Sequence, residues 1–318
     1  MARQEFWEQL IEALRKNEAV ALLLVVASRD SSPGRAGAKM LLPDGRAQGT
    51  IGGGSVEYAM SKKARAWLNS GQGVRLCRLQ HRQSTDGQAS GQLCGGSQSV
   101  VYLRCTRQHV PLLQQLLLTG RQEQSSLLQI APRGMSVVLS EKPLPGPEFS
   151  YRDDADWRYR ESLNVCKTVY LFGGGHVSLA LSQILTLLYY QVLVIDPRGN
   201  LETLQRNRWA AQKLCLPCSA AREVIRQGGQ SSVVVMTHSH KTDQELIARL
   251  AGIDVAYFGV LGSRCKLRIL RENLEGQVDE DFWDSLHAPA GLPIGSSAPM
   301  EIAVSIAVEL IQTFSAAR

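Results

Sequence analysis

A chain of 318 residues exceeds the size at which one hydrophobic core usually stops growing, so two domains are expected. With 44% hydrophobic and 20% charged residues it has ordinary globular usage, which excludes a natively disordered chain. The net charge of +6 is uneven: residues 1–150 hold 18 Lys/Arg against 11 Asp/Glu and residues 151–318 hold 17 against 18, so the first half carries a field suited to an anionic partner.

The chain opens with Phe6, Leu10, Ile11 and Leu14 at helical spacing over 3–17, followed by a β-rich apolar run over 20–28. Asp30-Ser31-Ser32-Pro33-Gly34 breaks the pattern, and a second strand is expected over 38–42, closed by the hairpin turn Pro43-Asp44-Gly45. The cluster Gly49-Thr50-Ile51-Gly52-Gly53-Gly54-Ser55 then feeds a helix over 56–68, amphipathic through Tyr58, Ala59, Ala64 and Trp67. A Gln/Ser/Gly-rich loop over 80–96 ends in Cys94-Gly95-Gly96 and precedes a strand over 99–104. A helix over 112–118 and a strand over 135–139 follow.

Pro143, Pro145, Gly146 and Pro147 read as an interdomain linker, giving a first domain over 1–141, a linker over 142–166 and a second domain over 167–318. The second domain alternates strand (168–172), helix (177–188) and strand (191–196). Further strands are expected at 232–237 and 255–261, with helices at 243–250, 266–274 and 299–314. That alternation implies a parallel sheet covered on both faces, an α/β class with a Rossmann-like C-terminal half. There is no internal repeat.

Phe172-Gly173-Gly174-Gly175-His176-Val177-Ser178 follows a strand and opens a helix. Such glycines let backbone turn tightly and approach a phosphate on the helix N–H groups, and Asp196, 21 residues after Gly175, ends the next strand where an acid can accept from a ribose hydroxyl. Ser178 stands at the third glycine position, and a Rossmann-type turn without a dinucleotide is the alternative reading. A nucleotide or NAD(P) is therefore one ligand to consider, with an NAD(P)-dependent oxidoreductase as the alternative function. No Tyr-x-x-x-Lys arrangement appears in the second half to serve a nicotinamide.

Thr237-His238-Ser239-His240-Lys241-Thr242-Asp243 also ends a strand. Two histidines and an acid allow a metal site of the hydrolase type, while a ligand-facing loop at the sheet's edge needs only the fold. Cys94, among small residues, is either an exposed thiol whose pKa basic neighbours would lower or an inert loop cysteine. Cys215-Leu216-Pro217-Cys218 has redox or metal spacing but no second pair, and its role stays open. Ser31, Ser32 and Ser55 have no nearby histidine–acid arrangement.

Seven cysteines, an odd and scattered set, fit a reducing compartment, so a cytoplasmic location is expected. Glu5 and Glu8 stand where a signal peptide needs apolar residues and the apolar run 19–27 is too short to span a bilayer, so no membrane association is expected. No Lys/Arg run lies beside stacking aromatics, and no nucleic-acid partner is expected.

Five ordered blocks resemble the xanthine dehydrogenase accessory proteins of the XdhC/CoxI type. They are Gly37-Ala38-Lys39-Met40 with Gly49-Thr50-Ile51-Gly52-Gly53-Gly54-Ser55-Val56-Glu57; Cys94-Gly95-Gly96; Phe172–Val177 with Asp196-Pro197-Arg198; and Thr237-His238 with Asp243. The fifth runs from Tyr257-Phe258-Gly259 and Gly262-Ser263-Arg264 through His287-Ala288-Pro289-Ala290-Gly291-Leu292-Pro293-Ile294-Gly295 to Pro299-Met300-Glu301-Ile302-Ala303. Leu93 stands where many relatives carry a second cysteine, and Asp30–Arg35 replaces a G-S-x-P-R pattern.

The resemblance implies an N-terminal α+β domain joined to a C-terminal Rossmann-like parallel-sheet domain, usually in a homodimer. It implies a non-enzymatic maturation factor, a chaperone that binds molybdenum cofactor (molybdopterin), protects it during sulfuration and delivers it to an apo-molybdoenzyme of the xanthine dehydrogenase type. A cysteine desulfurase is a further implied partner. The cofactor-binding residues so implied are Gly52, Gly53, Gly54, Cys94, Gly95, Gly96, Gly173, Gly175, His176, Asp196, Arg198 and His238, with Cys94 also a soft ligand to molybdenum.

Overall fold

The computed structural model describes residues 3–30, 32–43, 46–80, 96–119, 125–140, 144, 146–162, 167–295 and 297–316. The chain divides into two compact units, Met1–Val165 and Cys166–Arg318.

In the first unit, helix α1 (Arg3–Lys16) buries Phe6, Leu10, Ile11 and Leu14 and places Arg15 and Lys16 in its last turn, where cations suit the helix dipole. Strand β1 (Ala19–Arg29) is the centre of a five-stranded antiparallel sheet. Its neighbours are β2 (Lys39–Leu42), beyond which lies β3 (Gln48–Gly49), and β5 (Ser97–Thr106), beyond which lies β4 (Val74–Gln80). Alternate residues of β1 enter two cores. Val20, Leu22, Leu24 and Val26 face α1 and α3 (Val110–Thr119), whereas Ala21, Leu23 and Val25 face α2 (Gly54–Leu68). Burial on both faces is why this strand reads as an unbroken apolar run. The expected hairpin is present as antiparallel pairing of Met40 with Gly49 and Leu41 with Gln48, and Asp44 and Gly45 lie outside the described residues.

The expected linker over 142–166 is corrected by the structure. Within it, β8 (Glu148–Tyr151) and β9 (Trp157–Ser162) join β6 (Ser125–Ala131) and β7 (Gly134–Ser140) in a second antiparallel sheet, in the order β7-β6-β9-β8. The prolines end before Glu148, and beyond them Trp157 and Tyr159 point into the same core as Leu128 and Ile130. Composition marks the break too widely. Strands β4 and β6 are likewise additions to the elements expected.

The second unit is a parallel sheet in the order β12-β11-β10-β13-β14, formed by β10 (Thr168–Phe172), β11 (Gln191–Ile195), β12 (Gln212–Leu214), β13 (Gly228–Val235) and β14 (Val255–Val260). Helices α4 (His176–Leu187) and α9 (Pro299–Ala316) cover one face. Helices α6 (His240–Leu250) and α7 (Arg264–Asn273) cover the other. The short α5 (Glu202–Arg206) and α8 (Glu280–Ser285) complete the unit. This is the mixed α/β class expected, with a Rossmann-type second unit. The sheet reverses direction of growth at β10, which pairs with β11 on one side and β13 on the other, the place where open α/β sheets receive ligands. Among the described residues no helix is long and apolar enough to cross a membrane.

Candidate functional site

At the C-terminal end of β10 the chain turns through Gly173, whose φ of +116° and whose Cβ position, 2.5 Å from the Met236 carbonyl oxygen, admit no side chain. Its N–H donates to the Ile195 carbonyl at 2.8 Å. Gly175 is the N-cap of α4 and differs in kind. It is in extended conformation, no side chain caps the helix there, and a Cβ would meet nothing within 4 Å. The first turn of α4 contains no acidic residue, and His176 is exposed. The amides of such a turn have no partner within the helix and together with the helix dipole form an anion site.

Ser178, where a third glycine was expected to pack, fits without exposure, and its hydroxyl is buried with no partner among the described residues. The adjoining Ser182 hydroxyl donates to the Ser178 carbonyl at 2.7 Å and accepts from the Asn207 amide at 2.8 Å.

Asp196 was expected to be available to a ribose. It is buried, and four donors converge on its carboxylate: the Gly174 N–H (2.8 Å), the Arg198 N–H (2.9 Å), Arg198 Nε (2.9 Å) and an Arg198 Nη (2.8 Å). A carboxylate has about four lone-pair sites, so this one is saturated. Burial alone would raise its pKa. The Arg198 hydrogen bonds and the two backbone amides outweigh it and hold the group below the usual carboxylate range. Asp196 therefore clamps the Gly173–Gly175 turn to the end of β11, and Arg198 is its counterion.

Beside this clamp runs a cleft lined by Ile195, Pro197, Leu216, Cys218, His238 and Leu246, among others. Its free space is about 20 Å³, room for one water. Cys215 is exposed and its thiol lies 3.2 Å from the Pro197 carbonyl oxygen. Cys218 is half-buried, and burial pushes its pKa up. Both are free thiols.

His238 reaches the cleft, and His240 is exposed at the start of α6. Asp243, which completed the metal reading, is fully buried and committed elsewhere. One of its oxygens accepts from the Thr237 hydroxyl (2.6 Å) and amide (3.2 Å), and the other is ion-paired with Lys266. The Lys266 ammonium also donates to the Leu261 carbonyl at 3.1 Å. The Thr237–Asp243 block thus fixes a loop, and among the described residues no cluster of three His, Cys, Asp or Glu side chains is placed to hold a metal.

A second network escapes sequence reasoning as a unit because its members are scattered. Glu309 accepts from the Tyr257 hydroxyl (2.7 Å) and the Gly291 N–H (2.6 Å), and its other oxygen lies 3.0 Å from His287 Nδ1. The Tyr257 and His287 rings stack at 4.4 Å. This network holds the 287–295 segment against β14 and α9, which accounts for one block of the resemblance.

In the first unit, Gly52, Gly53 and Gly54 all have positive φ (+130°, +75° and +68°) and lead into α2. The amides of Ile51, Gly52 and Gly53 are in use. Glu57 accepts from the Ile51 N–H and the Gly53 N–H, each at 3.0 Å, and from the Thr50 hydroxyl at 2.6 Å. Burial raises the Glu57 pKa, but these three bonds lower it further, and the group stays below its ordinary value. An internal carboxylate thus sits where the sequence pointed to cofactor. Cys94 and Gly95 lie outside the described residues, and Gly96 is buried just before β5.

Two family models match the chain: the XdhC and CoxI family over residues 13–80 and the XdhC Rossmann domain over residues 169–310, together about two thirds of its length. Among curated proteins, the chain is 27% identical over 303 residues to the uncharacterized protein YqeB of Escherichia coli (strain K12), across 93% of this chain but 44% of that one. The chain thus spans less than half of that relative. It is 23% identical to a Bacillus subtilis (strain 168) protein described as a probable xanthine dehydrogenase subunit, across 96% of each. A crystal structure described as a xanthine dehydrogenase from Bacillus halodurans superposes with a TM-score of 0.79 at 21% identity, covering 100% of this chain and 97% of that one, a likeness of fold. The clamped glycine turn, the Thr237–Asp243 loop and the 287–295 segment fall within the Rossmann match, and the Glu57 loop falls within the other. The chain belongs to the XdhC and CoxI family.

Proposed function

We propose that this protein is an accessory factor of a xanthine-dehydrogenase-type molybdoenzyme that binds molybdenum cofactor, shields it during sulfuration and delivers it to the apo-enzyme. Family membership supports the accessory role, and the description of the Bacillus subtilis relative supports the kind of enzyme served. The observation that carries the cofactor reading is the contrast within one turn: Gly175 is open and uncapped whereas Asp196 is saturated. A phosphate group fits over the first turn of α4. A dinucleotide would also call on Asp196 for its ribose, and that carboxylate is saturated, which favours the accessory reading over the oxidoreductase alternative.

Molybdopterin ends in a phosphate, and that end fits. Its ring system does not fit the cleft of about 20 Å³ as it stands, so in this reading the rings lie outside it, beside His176 and His238. When bound, the cofactor supplies the molybdenum chemistry of the recipient enzyme. The chain's own residues bind the phosphate and hold the turn rigid through Asp196 and Arg198. Cys94 as a soft ligand, a cysteine desulfurase as sulfur donor, a homodimer and a cytoplasmic location belong to the same reading.

The test is to purify wild-type and Gly175→Val protein from cells that make the cofactor and to measure molybdenum and pterin per chain. Wild-type protein should carry both and the variant markedly less at unchanged circular dichroism. Equal cofactor on a folded variant would remove the site, and wild-type protein free of pterin would remove the function.

A further inference from the structure

Outside the site above, the first unit has an open surface groove of about 450 Å³ lined by Glu18, Arg104, Thr106, Arg107 and Gln108. It lies where β1 begins and β5 ends, since Ala21 pairs with Arg104 and Ala19 with Thr106. The neighbouring strand β4 starts at the same end, and the Arg104 N–H donates to the Gly73 carbonyl at 2.8 Å. Among the described residues neither of its two arginines is tied to an acid. Arg107 is held by backbone alone, donating from Nε to the Leu14 carbonyl and from an Nη to the Arg15 carbonyl, each at 3.3 Å. That fixes its guanidinium at the C-terminal end of α1 and leaves its charge without a carboxylate. Arg104 is less satisfied still: its Nε–H is buried and finds no acceptor. A buried N–H without a partner is costly, and an acceptor from outside the chain would remove the cost.

The lining carries two guanidinium groups and a glutamine amide against one carboxylate, with Arg104 half-buried and Arg107, Gln108 and Glu18 exposed, while the Thr106 hydroxyl lies 3.3 Å from His109 Nδ1. Planar guanidinium forks match the oxygen pairs of phosphate better than any other side chain does. The basic excess of residues 1–150 brings anions toward this unit.

We propose that this groove is a second oxyanion site, for a small phosphate monoester or diphosphate, in which Arg104 turns its fork to the ligand while Arg107 stays fixed and adds charge. It is independent of the α4 site and of the cofactor reading.

The experiment is titration calorimetry of the full chain at low ionic strength with glycerol phosphate and with pyrophosphate. It uses wild type, Arg104→Gln and Arg104→Lys, with Gly175→Val to take out the α4 turn. Wild type and Gly175→Val should bind, pyrophosphate more tightly, with Arg104→Gln weaker by about tenfold or more and Arg104→Lys intermediate. Glycerol phosphate should also protect Arg104 of the wild-type chain from an arginine-specific dicarbonyl reagent, read by peptide mass, a measurement that needs no variant to fold. The proposal is overturned if neither probe binds Gly175→Val, if folded Arg104→Gln binds as wild type does, or if Arg104 is modified equally with and without the probe.

Discussion

Lys39 Nζ stands 2.7 Å from Glu161 Oε1 in the interior of the first unit, with the two side chains 10% and 2% exposed. The lysine also donates to the Gly37 carbonyl at 3.0 Å, and the Tyr159 hydroxyl donates to Glu161 at 2.8 Å. Lys39 belongs to β2 of one sheet and Glu161 to β9 of the other, so the pair ties together the two sheets of the unit. Replacing one partner strands a buried charge, and Lys39→Met should lower stability by about 3–5 kcal/mol. Chemical denaturation of the full chain, followed by hydrogen exchange of the β2 and β9 amides, checks this. An unchanged midpoint would reduce the pair to decoration.

Two glycines of one turn should respond unequally to the same change. Gly173→Ala places a methyl 2.5 Å from the Met236 carbonyl oxygen at φ +116°, which should destabilise the second unit by about 1–3 kcal/mol. Gly175→Ala meets open space and should melt within a degree or two of wild type, about 0.5 kcal/mol or less. Calorimetric melting of both variants distinguishes a turn built by packing from one in which either glycine serves merely as a spacer.

Asp196 makes the second unit sensitive to acid in a defined direction. Its folded pKa lies below the unfolded value, so the unfolded chain takes up the proton more readily. The stabilisation is complete above the ordinary carboxylate value of about 4 and is lost as pH falls through the folded one. Asp196→Asn should therefore be less stable than wild type at neutral pH, and the gap should narrow as the solution is acidified below about pH 4. Melting temperatures measured across that range would contradict the assignment if the gap stayed constant.

Removing the Glu57 carboxylate should free the amides of Ile51 and Gly53. Glu57→Ala is expected to cost about 1–2 kcal/mol and to speed hydrogen exchange at those two amides, while the interior of α2 keeps its protection. If the two amides exchange as in wild type, they have another acceptor.

The thiols should separate by exposure. Cys215 and Cys265 are exposed and should react first with a disulfide reagent, whereas Cys105, fully buried with its pKa pushed up to about 12, should react only on unfolding. Peptide mapping after timed labelling assigns each one.

Local order explains what is legible in the sequence. The strand, glycine turn and helix of 168–187 lie within one stretch of chain, so periodicity and glycine spacing are enough to place them. Asp196 is placed correctly at a strand end but misread in role, because its partner Arg198 is only two residues away and such pairing depends on rotamers rather than on spacing. The Lys39–Glu161 pair spans 122 positions and carries no periodic signal. The same holds for Tyr257, His287 and Glu309, which meet only when β14 and α9 are packed. Strand β9 does leave a trace, since Trp157, Tyr159 and Glu161 alternate inward, but the four turn-forming residues Pro143, Pro145, Gly146 and Pro147 upstream dominate the pattern.

The central position of β10 also bears on how the chain is made. Its register runs Val169 to Val192 on one side and Val169 to Ser232 on the other. A ribosome that has finished β10 must add a further 56 residues before Gly228, the first residue of β13, exists. At about 5–20 residues per second this takes roughly 3 to 11 s. Through that interval β10 can pair with β11 at most, its other edge has no native partner, and Val169, Leu171 and Phe172 on its two faces lack the full packing of the finished sheet. The nascent chain should be most prone to aggregation, and most in need of a holding chaperone, between the emergence of Phe172 and that of Val235.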